Sequence, residues 1–297
     1  MREIQQALSN LLPNSGSIRR CDAIAGGCIS VAQHLVTQST DGTRQDFFIK
    51  SNESSFENNF CCEWKGLQAL DQTSSVRVPE PVAQGVVGCK AWLILEWIEQ
   101  ENQPANFFHV FGHQLAQLHR CTRGEEIGLT HNNYLGSSQQ PNNSCDSWHH
   151  FFASQRLEYQ FRQLRNQGLE SRNLGESLTV IIDDMKSILE GSEPKTSLIH
   201  GDLWSGNYLC GPKGVPVLID PAIYRGNREA EFGMIRLFGG CPKSFYDAYQ
   251  EAFPFSDGWE RRTDVYLLYH LLNHLNLFGT GYLADCERVA RAILANR

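Results

Sequence analysis

The run LIHGDLWSGNYLC, residues 198–210, sets Asp202 and Asn207 five positions apart, puts a glycine immediately before each, and encloses the set between Leu198–Ile199 and Tyr208–Leu209. A helix would repeat apolar residues three and four apart, and a strand would alternate them. This order does neither, so it reads as a loop that holds an acid and an amide between two short buried segments. Thirteen residues beyond Asn207, the apolar run VLID ends at Asp220. Whatever this chain folds into must present a loop-borne carboxylate and amide together with an acid at the end of a strand. All three are oxygen donors of the kind that hard divalent cations accept.

The pattern around that loop changes along the chain. CISVAQHLVT (28–37) and QDFFIKS (45–51) read as strands, the first in the chain, with Asp41–Gly42 as the hairpin signal between them. A helix follows over 56–71, with Phe60, Trp64, Leu67 and Leu70 on one face. Residues 76–87 cannot be helical because of Pro79 and Pro81. KAWLILEWIE (90–99) reads as a buried strand. Helices are expected over 104–120, where Phe107, Phe111, Leu115 and Leu118 form a stripe, and over 147–166, 175–190, 228–238, 243–252 and 260–278. The Gly/Asn/Ser/Gln-rich stretch 121–146 reads as a long loop with some local order. With 297 residues the chain can bury one large core or two smaller ones. The expected architecture is α+β and bilobal: a small antiparallel-sheet N-lobe over residues 1–98 and a larger, mainly helical C-lobe over 99–297, with the cleft between them as the default ligand site.

The order Asp-x-x-x-x-Asn is the spacing of a kinase catalytic loop, in which the Asp accepts the substrate hydroxyl proton and the Asn holds a metal ion. On that reading Asp202 is the catalytic base, and Asn207 and Asp220 bind Mg²⁺, an ion that takes few protein ligands and completes its shell with phosphate oxygens and water. The first lobe carries the matching parts for ATP. Gly26 and Gly27 let backbone approach phosphates closely. Lys50 ends the strand DFFIK, where a phosphate-pairing lysine belongs, and Glu63 on the following helix is placed to hold it. LILEWIE supplies a hinge, with backbone groups of Glu96, Trp97 and Ile98 facing an adenine edge. No G-x-x-x-x-G-K-[ST] sequence is present, which sets aside a P-loop NTPase. His109/His113 and His270/His274 stand four apart but lack the H-E-x-x-H glutamate, and read as core or interface histidines.

Composition narrows the class. The net charge of −7 excludes a basic nucleic-acid stripe and argues against anionic membranes. The apolar runs are too short to span a bilayer, and MREIQQALSN is amphipathic without a signal-peptide core. A soluble cytoplasmic protein is expected, with no nucleic-acid and no membrane partner. The ten cysteines are scattered, with no C-x-x-C, and read as reduced thiols, most of them buried.

HGDLWSGN, IDPAIYRGNREAE, GGCIS, LLYHLLNHLNLFGTGY, LAQLHR and NNYLGSSQQPN together resemble the fructosamine (ketosamine) kinase family, a branch near the aminoglycoside phosphotransferases, over nearly the whole chain. The resemblance implies a protein-kinase-like fold and ATP-dependent phosphorylation of the C3 hydroxyl of a small-molecule or protein-bound ketoamine, whose unstable 3-phosphate then leaves and frees the amine. It implies that Trp204, beside the base, stacks on the sugar or covers its amine side. It places Cys28 in the glycine-rich loop near the phosphates, where an oxidation-sensitive switch is conceivable, including a disulfide between two chains; monomer and homodimer both stay open. Two positions depart from the family pattern: GNREAEF has Asn227 where the family has a histidine, and Glu231 where it has an aspartate. Two rival readings remain, another small-molecule kinase of the aminoglycoside or choline kinase type, and a nucleotide-binding pseudokinase that regulates a partner.

Overall fold

The computed structural model describes residues 2–24 and 29–296. In chain order, α1 (Arg2–Leu11) precedes β1 (Ser17–Ile24), β2 (Val31–Gln38), β3 (Arg44–Glu53), α2 (Glu57–Asp71), β4 (Pro81–Val87) and β5 (Lys90–Glu96). Next come α3 (Phe107–Cys121), β6 (Asn133–Leu135), β7 (Ser138–Gln140), α4 (Trp148–Phe151), a π-helical turn at Phe152–Glu158 that runs into α5 (Tyr159–Gln167), α6 (Arg172–Asp183) and α7 (Met185–Ile188). The remainder is β8 (Ser197–Ile199), β9 (Tyr208–Cys210), β10 (Pro216–Leu218), β11 (Tyr224–Gly226), α8 (Glu229–Leu237), α9 (Lys243–Ala252), α10 (Trp259–Phe278) and α11 (Leu283–Ala295). These elements fall into two compact units. One runs to Pro104 and takes in Leu209–Asp220; the other holds Ala105–Tyr208 and everything from Pro221 onward.

The first unit is built on an antiparallel sheet in the order β1-β2-β3-β5-β4. At the β2–β3 turn Gly42 adopts φ +89°, its N–H donates to Ser39 O at 3.1 Å, and the Asp41 carboxylate accepts the Thr43 N–H at 2.9 Å. That chemistry fixes the register Gln38↔Arg44 and so Ala32↔Lys50. One sheet face buries Leu35, Phe47, Ile49, Trp92 and Ile94 against Ile4, Ala7 and Leu8 of α1, the apolar side of an otherwise polar helix. Residues 209–220 join this unit because Glu101 N–H donates to Cys210 O at 2.9 Å and Leu218 N–H to Arg77 O at 2.8 Å.

The second unit packs helices around a core that includes Phe151, Phe152, Leu157, Leu178, Leu268 and Leu272, each fully buried and each contributing about 1.5–3 kcal/mol. The α3 stripe of Phe107, Phe111, Leu115 and Leu118 is buried throughout. Gly112 lets α3 approach α9 closely, since a Cβ there would sit 2.2 Å from Phe245 O.

Several sequence expectations need correction. The first strand is Ser17–Ile24, a segment with little apolar content and a mostly exposed pattern, because it forms the outer strand of the sheet. Lys50 lies inside β3, three residues before its end. Pro81 opens a strand, β4, which is possible because β4 is the other sheet edge and Pro stands at its first position. The helix expected at 175–190 is two helices, α6 and α7. The loop 121–146 contains the β6–β7 hairpin, tied by buried amides: Gln140 Nε2 and Asn142 Nδ2 donate to Asn133 Oδ1 at 2.8 and 2.7 Å. The described cysteines are free thiols, but most are not buried: only Cys62, Cys210 and Cys286 are, while Cys89 and Cys121 are exposed and the rest are partly so. Among the described residues no helix is long and apolar enough to cross a membrane.

Candidate active site

In the first unit, β3 carries Lys50 inward to 7% exposure, opposite Leu93 of β5. Its Nζ donates to Glu63 Oε1 of α2 at 2.8 Å and to Asp220 Oδ1 at 2.5 Å. Burial pulls the ammonium's pKa down, but the charges of Asp220 and Glu63 outweigh it and hold the lysine above its ordinary pKa. Burial pushes the Glu63 carboxyl up to about 7 against the pull of Lys50. Asp220 adopts φ +57°, a left-handed conformation that an L-residue other than glycine seldom takes. Asp220 lies two residues beyond the end of β10, not at the strand's last position as expected, and its strained backbone aims one carboxylate oxygen at Lys50, with Oδ2 taking no hydrogen bond among the described residues.

The segment after β5 is tightly held. Glu96 N–H donates to Glu80 O at 2.8 Å, and its carboxylate accepts the Glu80 N–H at 3.0 Å and pairs with the Arg77 guanidinium. The Glu96 N–H is therefore spent within the fold, which leaves its carbonyl as the backbone group that could face a ligand. Trp97 stacks on His34, with ring centroids 3.6 Å apart and planes 12° apart, and its Nε1 donates to Glu99 Oε2 at 3.0 Å. Ile98 is buried, 3.4 Å from where a Cβ on Gly211 would be. Gly26, Gly27 and Cys28 lie outside the described residues.

In the second unit, the loop between β8 and β9 is shaped by its own sequence. Gly201 takes φ +81°, and a Cβ there would lie 2.2 Å from Ala222 O; the Ala222 N–H in turn donates to His200 O at 2.9 Å. Gly206 makes room for Trp204, whose ring would stand 2.4 Å from an added Cβ, and the Asn207 N–H closes the turn on Trp204 O at 2.9 Å. The buried Asn207 donates its Nδ2 to Asp202 O at 2.8 Å and to Asp202 Oδ2 at 3.0 Å. Both contacts are to acceptors, so the amide orientation is fixed and Oδ1 points away from the aspartate. Oδ1 takes no hydrogen bond among the described residues, which suits a hard cation. The donor chemistry of Asn207 and Asp220, an amide and a carboxylate oxygen each left open, therefore fits Mg²⁺.

Beneath this loop lies a set of buried polar residues that no motif spacing marks out. Glu231 on α8 is buried, and its carboxylate accepts the N–H groups of His200 at 2.6 Å and Gly201 at 3.0 Å. It thus anchors the two residues before Asp202. His119 Nε2 lies 3.6 Å from the same carboxylate, its Nδ1 is 2.7 Å from the Tyr249 hydroxyl, and burial holds the imidazole below its usual pKa. Arg228 donates to Glu193, Tyr249 OH, Phe253 O and Pro254 O. Glu229 pairs with Arg262 through contacts of 2.6 and 2.8 Å. Asn227 caps its own turn, with Oδ1 accepting the Glu229 N–H at 2.9 Å and Nδ2 donating to Glu193 O at 3.2 Å. The two family departures, Asn227 and Glu231, are therefore both satisfied hydrogen-bonding groups. No spacing rule could have pointed to Glu231, because what it binds is backbone.

Trp204 is half-buried and packs against Phe238 with ring centroids 5.0 Å apart; Phe238 in turn meets His274 at 5.5 Å. Phe238, at 42% exposure, makes this an open aromatic surface two residues from Asp202. His270, in contrast, is a core residue, as expected. His109 and His113 are not core residues: the first is exposed and the second partly so.

A family model for fructosamine kinase matches residues 1–296. A Synechocystis protein named a probable ketoamine kinase is 35% identical, covering 98% of this chain and 96% of the relative. The chloroplastic protein-ribulosamine 3-kinase of Arabidopsis thaliana is 36% identical over 92% of this chain and 82% of its own. Among solved structures, a Haemophilus somnus protein assigned as a fructosamine-3-kinase matches with TM-score 0.87 and 27% identity, covering 99% of this chain and 97% of the other. The protein-kinase-like fold extends to phosphotransferases at only 12% identity, with which it shares the fold alone.

Proposed function

The chain belongs to the fructosamine kinase family and is a phosphotransferase with an alcohol acceptor; from that premise we propose that it moves the γ-phosphoryl group of ATP to the C3 hydroxyl of a ketoamine. The acceptor is a fructosamine or ribulosamine, on a small amine or on a protein lysine, and loss of the unstable 3-phosphate then frees the amine, which makes the reaction a deglycation. The observation that carries the reading is the complete set: Lys50 is held by both Glu63 and Asp220, and Asp202 and Asn207 stand together in the loop, whereas a pseudokinase predicts damage to one of these four positions. The name of the plant relative supports the acceptor class. Cytoplasmic action belongs to the same proposal.

Each residue then has a task. Lys50, with Glu63 behind it, pairs with the phosphates, and backbone groups of Glu96, Trp97 and Ile98 meet the adenine edge; Gly26, Gly27 and Cys28 complete the phosphate loop. Asn207 and Asp220 hold Mg²⁺, which when bound neutralises charge on the transferring group. Asp202, fixed by the Asn207 amide and by Glu231 through the preceding backbone, orients the acceptor hydroxyl and takes its proton. Most of the rate comes from positioning and from charge already in place. Trp204 covers the sugar or its amine side, extended by Phe238.

Incubation with ATP, Mg²⁺ and a synthetic fructosamine or ribulosamine tests this, read by ADP release and phosphorus NMR of the product, with an aminoglycoside as control. The expected result is turnover of the ketoamine, phosphate on O3, and a kcat lowered by about 10²–10⁴ in Asp202→Asn while ATP still binds. Phosphate on another oxygen, or turnover of the aminoglycoside in place of the ketoamine, overturns it.

A further inference from the structure

On the outer side of α3, away from its buried stripe, His109 and His113 stand one helical turn apart, with ring centroids 4.6 Å apart. Glu251, near the end of α9, reaches the same place, its Oε2 lying 3.9 Å from His113 Nε2. One donor atom from each of the three lies within 4.8 Å of the others. We propose that His109, His113 and Glu251 form a binding site for a transition-metal ion of the Zn²⁺ class that clamps α3 to α9.

Geometry supports this. A tetrahedral ion at about 2.0–2.1 Å from each ligand needs donors roughly 3.3 Å apart. The three groups must therefore close by no more than about 1.5 Å, a distance that side-chain torsions cover. All three have room to move, since His109 and Glu251 are exposed and His113 is partly so. The backbones beneath them are fixed. Gly112, beside His113, lies against Phe245 O, the Phe111 and Phe245 rings are 5.1 Å apart, and His119 is bonded to Tyr249 further along the two helices. Two helices held at set spacing thus present two ligands from one and a third from the other, and only the side chains need to adjust.

Donor chemistry selects the ion. Two imidazole nitrogens and one carboxylate oxygen suit Zn²⁺, Co²⁺ or Ni²⁺, whereas Mg²⁺ seeks oxygen and keeps its waters. The site is thus chemically distinct from the donors proposed for Mg²⁺. Three protein ligands leave a fourth position for water. No glutamate follows His109 in the H-E-x-x-H manner, so the metalloprotease motif is not formed, and ligands drawn from two helices suit a clamp. The clamp bears on a helix that matters elsewhere, because the Ser197 hydroxyl of β8 donates to His119 O of α3 at 2.7 Å, just before the catalytic loop.

The test is a Co²⁺ titration of the full chain with Mg²⁺ in excess, followed by Zn²⁺ competition and thermal melting with and without Zn²⁺. It compares the wild type with His109→Ala, His113→Ala, Glu251→Gln and the double histidine variant. The expected result is one Co²⁺ per chain, with visible ligand-field bands, no thiolate charge-transfer band, and displacement by Zn²⁺. Loss of an outer-shell partner of a ligand typically costs 10–100-fold in affinity, so removing either histidine should weaken binding by at least about 10-fold. Zn²⁺ should raise the Tm of the wild type and leave that of the double variant unmoved, while without metal the two melt within a few degrees of each other because His109 is exposed and His113 partly so. Absence of ligand-field bands, a thiolate band, or undiminished binding in the double variant overturns the proposal. None of these readouts depends on the acceptor of the phosphotransfer.

Discussion

Two glycines in the loop around Asp202 look alike in sequence but are required for different reasons. Gly201 needs its left-handed backbone and stands against a main-chain oxygen, so Gly201→Ala has nothing soft to push aside. It should lose about 1–2 kcal/mol from conformation alone, and more from the clash, with kcat falling as Asp202 shifts. Gly206 meets only the Trp204 ring, which can swing. Gly206→Ala should therefore melt close to wild type and raise the ketoamine KM. Urea unfolding and steady-state kinetics on both variants check the contrast; equal loss of stability in the two would refute it. The sequence singled out Asp202, Asn207 and Asp220 by their spacing, and their roles remain part of the proposed function. It did not disclose the φ of Asp220 or the collision avoided at Gly201, since both depend on a neighbour distant in the chain.

At the level of elements, α8 does more than its apolar pattern suggested. Its first turns carry Glu229 and Glu231, both buried, one tied to Arg262 of α10 and the other to the loop backbone. Burial pushes the Glu229 carboxyl above its usual pKa, against the pull of Arg262. Removing one partner leaves a charge in the interior, so Arg262→Met should cost about 3–5 kcal/mol in urea unfolding. The double variant Glu229→Leu with Arg262→Met should recover most of that loss, because well-packed apolar replacements of a buried pair are often neutral. If the double variant is no better than the single, the pair is not the source of the cost. Helices with a clear apolar stripe, such as α3, were legible in the sequence. The strands β1 and β4 were not, since a sheet edge needs few apolar residues and tolerates Pro81. Nor was β6–β7, which is held by amides rather than by apolar contacts.

Across the whole molecule, buried imidazoles contribute to the response to acid. His270 is held down to about 3 by burial, with His274 and Arg156 adding to the effect, and burial also lowers His119 and His274. The unfolded chain takes up protons on these rings below about pH 6.5, whereas the native His270 stays neutral until about 3. The unfolded state thus binds more protons in that window, and native stability falls as pH drops through it. His270→Gln should reduce the slope of unfolding free energy against pH by up to ~1.4 kcal/mol per unit. Urea melts between about pH 6.5 and 4.5 measure it, and an unchanged slope would clear His270 of the role.

The excursion of residues 209–220 into the first unit has a consequence for biosynthesis. A ribosome that has released everything up to Pro104 has not yet supplied the short hairpin that ends in Asp220. The amino-terminal third must wait, unfinished, while more than a hundred further residues emerge, and Lys50 meets its second carboxylate only when Asp220 has cleared the exit tunnel.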